Sequence, residues 1–328
     1  MTAGSLLSPA DALRSRILRG FAPRSLLVHR EKRVAALGTA TVLAAFAGSC
    51  LAPVWMLALS PLVLGVPHLL ADLRYLVVRP GLHRRPRLWI AAGLPLGALA
   101  VGDGTWVWPG LAAAGGALLV ARGTLGRRLV GLAALAILCA WTRSLGPTAG
   151  VVFAHLHNVL ALALWWAWRP RRGRWHWIPL GLAAAGAWIL FALPFSGDAS
   201  TSLGGLSLGA LAASLSGGLS PDLGLRLAVG FAFGQALHYA VWLRLLPEED
   251  RARPVPRSFS SSFRALKADF GAWPLALAGS AALGIALWAV ADLAAARAGY
   301  FRLSLFHGHL ELAAAALFWV EGRPLRSG

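Results

Sequence analysis

Four histidines in apolar surroundings each stand beside a carboxylate or an amide at helical spacing. His68 and Asp72 are i,i+4 in "LGVPHLLADLRYLVVRP", and His307 and Glu311 are i,i+4 in "FRLSLFHGHLELAAAALFW". His155 and Asn158 are i,i+3 in "VVFAHLHNVLALALWW", as are Gln235 and His238 in "GFAFGQALHYAVWLRLLP". These spacings put both members of a pair on one helix face. An imidazole that ligates a metal gives its other ring N–H to such a neighbour, which fixes its tautomer and orientation. Neutral imidazoles with nearby carboxylates and no thiolate suit Fe, Zn, Cu or Mn. The expected metal ligands are therefore His68, His155, His238 and His307. Asp72 and Glu311 are expected to orient them, to bind metal themselves or to act as a base. The plain alternative for Asp72 is a boundary residue paired with Arg79 or Arg244.

The remaining histidines read differently. His29, His83 and His176 lie in basic segments. His157 and His309 are two residues from a neighbouring His and so face elsewhere on their helices, with packing as the default. A lone intramembrane His is commonly a hydrogen-bonded packing residue. Several ionisable groups at one depth share a purpose, because each is costly in hydrocarbon.

The elements that must carry these residues follow from composition. The chain has 328 residues, 57% hydrophobic and only 13% charged. Apolar runs of about 20 residues recur from Ala35 onward, each long enough to cross roughly 30 Å of hydrocarbon. The pattern predicts an all-α, polytopic transmembrane bundle of about ten spans. The expected spans are 34–51, 53–78, 88–101, 105–121, 128–142, 150–168, 177–194, 223–246, 272–294 and 301–320. Residues 1–33 read as a basic interfacial arm on anionic lipid, 34–320 as one transmembrane domain and 321–328 as a tail. The net charge of +18 sits mostly in short loops. That is a topology signal rather than a nucleic-acid footprint, and its alternation places both termini in the cytoplasm. A bacterial inner membrane is the expected location, and the oligomeric state is open. Cys50 and Cys139 lie in apolar segments, and there is no CxxC or CxxCH. No disulfide, thiolate zinc site or covalently attached haem is expected.

Four of the expected spans, all even-numbered and hence parallel, carry the candidate ligands. His68 lies 11 residues before Arg79, His155 14 before Arg169, His238 9 before Pro247 and His307 14 before Glu321. At about 1.5 Å per residue these are depths of roughly 14–21 Å, near the midplane. Tyr75, Arg74 and Arg244 read as interfacial anchors and snorkelling side chains. Residues 195–222, rich in Gly, Ser and Leu, admit a re-entrant helix, a lid or a flexible linker, of which the linker is the plainer reading. Residues 259–271 read as a short amphipathic surface helix.

"GVPHLLAD" resembles the "PH…D" signature of the Brp/Blh family of membrane carotenoid cleavage enzymes, through Pro67, His68 and Asp72. His155, His238 and His307 resemble the family's other intramembrane His in kind and in their location on separate spans. The resemblance implies a multi-span protein with an iron site that acts on a carotenoid. The leading expectation is a non-haem iron oxygenase for a carotenoid, isoprenoid or other lipophilic substrate. Zinc fits four His less well, since they fill a tetrahedral site, whereas octahedral iron keeps two positions. A b-type haem electron-transfer protein and a proton-coupled transporter are the competing classes.

Overall fold

A computed structural model describes residues 8–102, 107–170, 173–192, 198–251 and 255–322. They form α1 (Ser8–Phe21), α2 (Arg24–Val28), α3 (Arg30–Leu51) and α4 (Pro53–Asp72, continued by a π turn Leu73–Val78). Next come α5 (Pro86–Val101), α6 (Trp108–Val120), α7 (Leu125–Leu145), α8 (Ala149–Ala167) and α9 (Trp177–Ala192). A hairpin of β1 (Ser202–Leu203) and β2 (Leu206–Ser207) leads into α10 (Leu208–Ser216). The chain continues with α11 (Pro221–Ala240, extended by a π turn Val241–Leu245 and by Leu246–Glu249) and α12 (Phe259–Phe270). It ends in α13 (Ala272–Ala291), α14 (Leu293–Ser304) and α15 (Phe306–Glu321). The fold class is all-α, as the sequence predicts.

This is a membrane protein by the length and apolarity of its helices. Five helical stretches, Arg30–Leu51, Pro53–Val78, Leu125–Ala167, Ala272–Ala291 and Leu293–Glu321, are long and apolar enough to cross a bilayer. Pro86–Val101, Trp108–Val120 and Trp177–Ala192 are shorter apolar helices. Residues 105–106, 193–194 and part of the N-terminal arm and C-terminal tail lie outside the described residues. Helix α13 buries none of its residues in the protein, and α7 buries only Thr142. Their apolar side chains therefore face the surroundings, as the outer helices of a lipid-embedded bundle must.

The helices carrying the candidate ligands close a ring. Helix α4 packs on α11, α11 on α8, α8 on α15, and α15 returns to α4. Small residues set the close approaches. Gly65 leaves the space that the Tyr300 ring fills against the α4 backbone. A side chain at Gly308 would crowd His157 where α15 meets α8. Pro67 carries no N–H and so leaves the Val63 carbonyl without its helical donor one residue ahead of His68. Two π turns begin close to the candidate ligands, one directly after Asp72 and one three residues after His238. Such widened turns recur at functional sites, because the extra residue re-aims the side chains that follow.

The 198–222 segment is not a linker. Gly204 and Gly205 adopt φ of 53° and 80°, making a tight hairpin that Cβ-bearing residues resist. The Ser207 hydroxyl then accepts from the Ala210 N–H and starts α10. Leu208, Leu211, Ala212 and Leu215 of that helix are buried against Val54 and Leu57 of α4 and Phe231 and Ala232 of α11. Burying an apolar stripe is what the flexible reading of a Gly/Ser-rich sequence overlooked.

The basic segments fold onto acidic partners at the helix ends. The Arg33 guanidinium donates from Nε (2.8 Å) and Nη2 (2.5 Å) to Glu248 Oε1, and from Nη1 to the Leu27 carbonyl. Arg74 donates to Asp269 at 2.6 Å, Arg79 pairs with Asp250, and Arg85 donates to Glu321 at 2.6 Å. Arg74 is thus a buried ion-pair residue rather than a snorkelling one. Arg79 is engaged by Asp250 and Asp269, so the boundary-pair reading of Asp72 with Arg79 does not hold. These pairs bring the start of α3 to the end of α11, and the end of α4 to α12. On the same surface Asp11 of α1 caps α12. It accepts from the Phe259 N–H (2.6 Å), the Ser260 N–H (3.1 Å) and the Ser260 hydroxyl (2.6 Å). Those bonds, the hydroxyl's first, hold the Asp11 carboxyl below its usual range.

Glu248→Ala strands a buried guanidinium. It should cost about 3–5 kcal/mol, read as a lowered thermal midpoint in detergent, whereas the double replacement Arg33→Met with Glu248→Leu should recover most of the loss. An unchanged midpoint in the single variant refutes a structural role for this pair.

Candidate metal centre

Three helices of the ring deliver four groups to one point. His68 and Asp72 come from α4, His238 from α11 and His307 from α15. Each offers one ligand atom, and all these atoms lie within 4.8 Å of one another. The imidazole centroids are 5.3 Å apart for His68 and His238, 4.9 Å for His68 and His307, and 5.6 Å for His238 and His307. His68, Asp72 and His238 are completely buried.

The tautomers are set by the backbone. His68 Nδ1–H donates to the Leu64 carbonyl at 3.3 Å, and His307 Nδ1–H donates to the Ser304 carbonyl. A carbonyl only accepts, so in each neutral ring the proton sits on Nδ1 and Nε2 keeps its lone pair. The expectation that a same-helix carboxylate fills this role fails for a simple reason. A carbonyl one turn toward the N-terminus is already within reach, and a helical side chain leans that way. Asp72 is thereby released: neither of its oxygens has a hydrogen-bond partner, and neither has His68 Nε2. Glu311, also fully buried, accepts from Trp242 Nε1–H at 2.7 Å, and its Oε1 lies 3.7 Å from His238 Nε2. It thus stands behind His238 on another helix, not beside His307 on its own. The other expected same-helix pairs also dissolve: Gln235 donates to the Tyr239 hydroxyl at 2.7 Å, and Asn158 to the Ala154 carbonyl at 3.4 Å.

His155 does not join the group. Its Nε2–H donates to the Leu215 carbonyl of α10 at 3.2 Å, and its ring sits edge-on to Phe231 at 5.2 Å. His157 takes the inward position on α8, 4.9 Å from His238 and 5.2 Å from His307. Two residues on a helix are about 200° apart, so only one of the two rings faces the centre. Depth cannot choose between them, but the buried face can. His157 lies on the stripe of Ala161, Leu164 and Trp168, which are all buried. His309, read as a packing residue, stacks on Phe153 at 5.5 Å and 20°.

The donor set fits a metal ion. Two buried carboxylates and unpaired imidazole nitrogens are each unfavourable alone, by several kcal/mol for a charge, and together they are the ligands that a divalent ion requires. Beside them lies a cavity of about 360 Å³. His157 and His307 form part of its wall, and Phe153, Leu160, Phe231 and Leu312 give it an apolar lining. A second cavity, of about 320 Å³, lies across α15 and is almost entirely apolar.

Comparison of the chain with protein-family models, curated proteins and solved structures finds no match. The chemistry rests on the residues themselves.

Ala substitution at His68, Asp72, His238 or His307 should remove most of the metal measured by elemental analysis, and His155→Ala should leave it in place. Glu311→Gln should weaken metal affinity by roughly 10–100-fold, as loss of a supporting carboxylate does. Wild-type metal content in His238→Ala and His307→Ala would rule out this centre.

Proposed function

We propose that the protein is an integral membrane oxygenase that holds one non-haem iron on His68, Asp72, His238 and His307 and acts on a lipophilic molecule in the adjoining cavity. The observation that carries this reading is the convergence of three imidazoles and an unpartnered carboxylate beside an apolar cavity. Three His and one Asp complete a tetrahedral zinc site, while on octahedral iron they leave two positions for reactants. Iron bound here supplies redox chemistry toward dioxygen. The chain's own groups do the rest. Asp72 offsets the metal's charge, and Trp242 fixes Glu311 against His238. The apolar walls exclude water from reactive species. The crowding of the rings, at centroid distances of 4.9–5.6 Å, favours a bare ion over a haem, which needs a slot between two facing His. The resemblance of "GVPHLLAD" to the Brp/Blh family supports the same class and makes carotenoids and other isoprenoids the first substrates to try.

Ten spans, with both termini in the cytoplasm of a bacterial inner membrane, is the topology this reading adopts, on the alternation of basic loops. Single cysteines at Gly102, Ser144 and Ser214 should label from outside, and those at Arg85 and Gly173 only after permeabilisation. Gly173 and Ser214 labelling from the same side overturns it.

Purified protein should contain about one iron per chain bound mainly by His, with no Soret band, and should consume oxygen with a polyene or prenyl substrate. Zinc alone, a haem spectrum or the absence of metal each overturns the oxygenase reading.

A further inference from the structure

His157 faces the cavity and the metal ligands at once, yet it stands outside the compact ligand set. Its Nδ1–H donates to the Ala154 carbonyl at 2.7 Å. The proton is thereby held on Nδ1, and Nε2 carries a lone pair. The same logic runs round the cavity wall. His309 spends its Nδ1–H on the Leu305 carbonyl at 3.3 Å, and Ser304 spends its hydroxyl proton on the Phe301 carbonyl at 3.2 Å. Gln235, with its amide N–H committed to Tyr239, leaves Oε1 without a partner. The wall is apolar in area; the hydroxyls of Tyr239 and Tyr300 also reach it, but His157, His309 and Gln235 present acceptors. A molecule that satisfies those acceptors brings a donor, and one that also accepts can meet the tyrosine hydroxyls.

The donor's charge follows from what the wall lacks. Among the described lining residues there is no Asp or Glu to balance an ammonium, and no Lys or Arg to balance a carboxylate or phosphate. A charge in such a place is costly, whereas a hydroxyl donates and stays neutral. We propose that the cavity takes a long apolar alcohol, and that His157 Nε2 accepts its O–H. The hydroxyl end is thereby placed beside His307 and His238. His157 is then a substrate-positioning residue and not a fourth metal-binding imidazole. The assignment deepens the oxygenase reading and rests on it for the use of the cavity.

The test is a binding comparison on the purified full-length chain. Tritiated geranylgeraniol serves as the alcohol, and its methyl ether keeps the apolar body but has no donor. Wild type should bind the alcohol about tenfold or more tighter than the ether, the weight of one well-made hydrogen bond. His157→Phe should bind the two equally, with the ether's affinity and the metal content both as in wild type. His157→Asn, which is shorter and polar, should also lose the preference. His157→Gln, whose amide oxygen reaches nearer to the Nε2 position, should keep part of it. Equal binding by wild type, which is the result if water or nothing occupies Nε2, overturns the proposal. So does loss of metal in His157→Phe or His157→Asn, or a preference that survives in both. The two readings separate cleanly. Metal-free wild type that still prefers the alcohol removes the oxygenase and leaves this assignment standing. Metal-loaded protein that binds both molecules alike does the reverse.

Discussion

Two carboxylates buried in the middle of an apolar helical bundle, with no Lys or Arg paired to them among the described residues, are the constraint on which the rest of the structure turns. Asp72 has no hydrogen-bond partner at all, and Glu311 has one indole N–H. In a medium of low polarity an uncompensated charge costs several kcal/mol, so such a pair persists only where something else repays it. The chain has acids and bases in abundance elsewhere, and there they meet. Arg33 meets Glu248, Arg74 meets Asp269 and Arg85 meets Glu321, all at helix ends. The contrast is what singles out the interior: the same fold that pairs its charges at the rim leaves them unpaired at the centre, facing three imidazoles.

The scaffold serves this centre by backbone rather than by side-chain networks. Carbonyls of the helices themselves, at Leu64, Ala154 and Ser304, fix the tautomers of His68, His157 and His307. Such a tether is short, comes from the same helix and does not depend on a neighbour's rotamer. It also leaves the carboxylates free for other work. The close helix contacts at Gly65 and Gly308, and the widened turns after Asp72 and beyond His238, then set how far the rings approach one another. The rim ion pairs hold the helix ends in register where α4, α11, α8 and α15 close their ring.

Much of this was legible in the residues. Apolar length announced an all-α membrane bundle. Similar distance from the expected cytoplasmic boundaries picked out His68, His155, His238 and His307 on separate helices, of which three converge in the structure, and helical spacing marked Asp72 and Glu311. What could not be read was azimuth. In "HLHN" the two rings differ by only about 3 Å in depth but by about 200° in direction, so the i,i+3 pairing with Asn158 favoured His155 while helix rotation turned His157 inward. The partner of each ring was misjudged for a related reason: side-chain spacing reveals neighbours along a face but is silent on backbone carbonyls, which every helix supplies. The 198–222 segment was misjudged because Gly and Ser composition hid a nine-residue helix whose Leu stripe is covered by α4 and α11.

The tethering of the imidazoles to their own helices also fixes the proton economy of the centre. Each tied ring has a single N–H, and that hydrogen is lodged on a carbonyl facing away from the open nitrogen. The Trp242 N–H is lodged on Glu311 in the same way. The interior therefore holds imidazoles that are poor shuttles: to pass a hydrogen inward, a ring must first break its tether and turn over inside a packed helical ring. On the proposed reading the open nitrogens are acceptors only, and none of the tied rings can act as an acid toward a guest without first leaving its carbonyl.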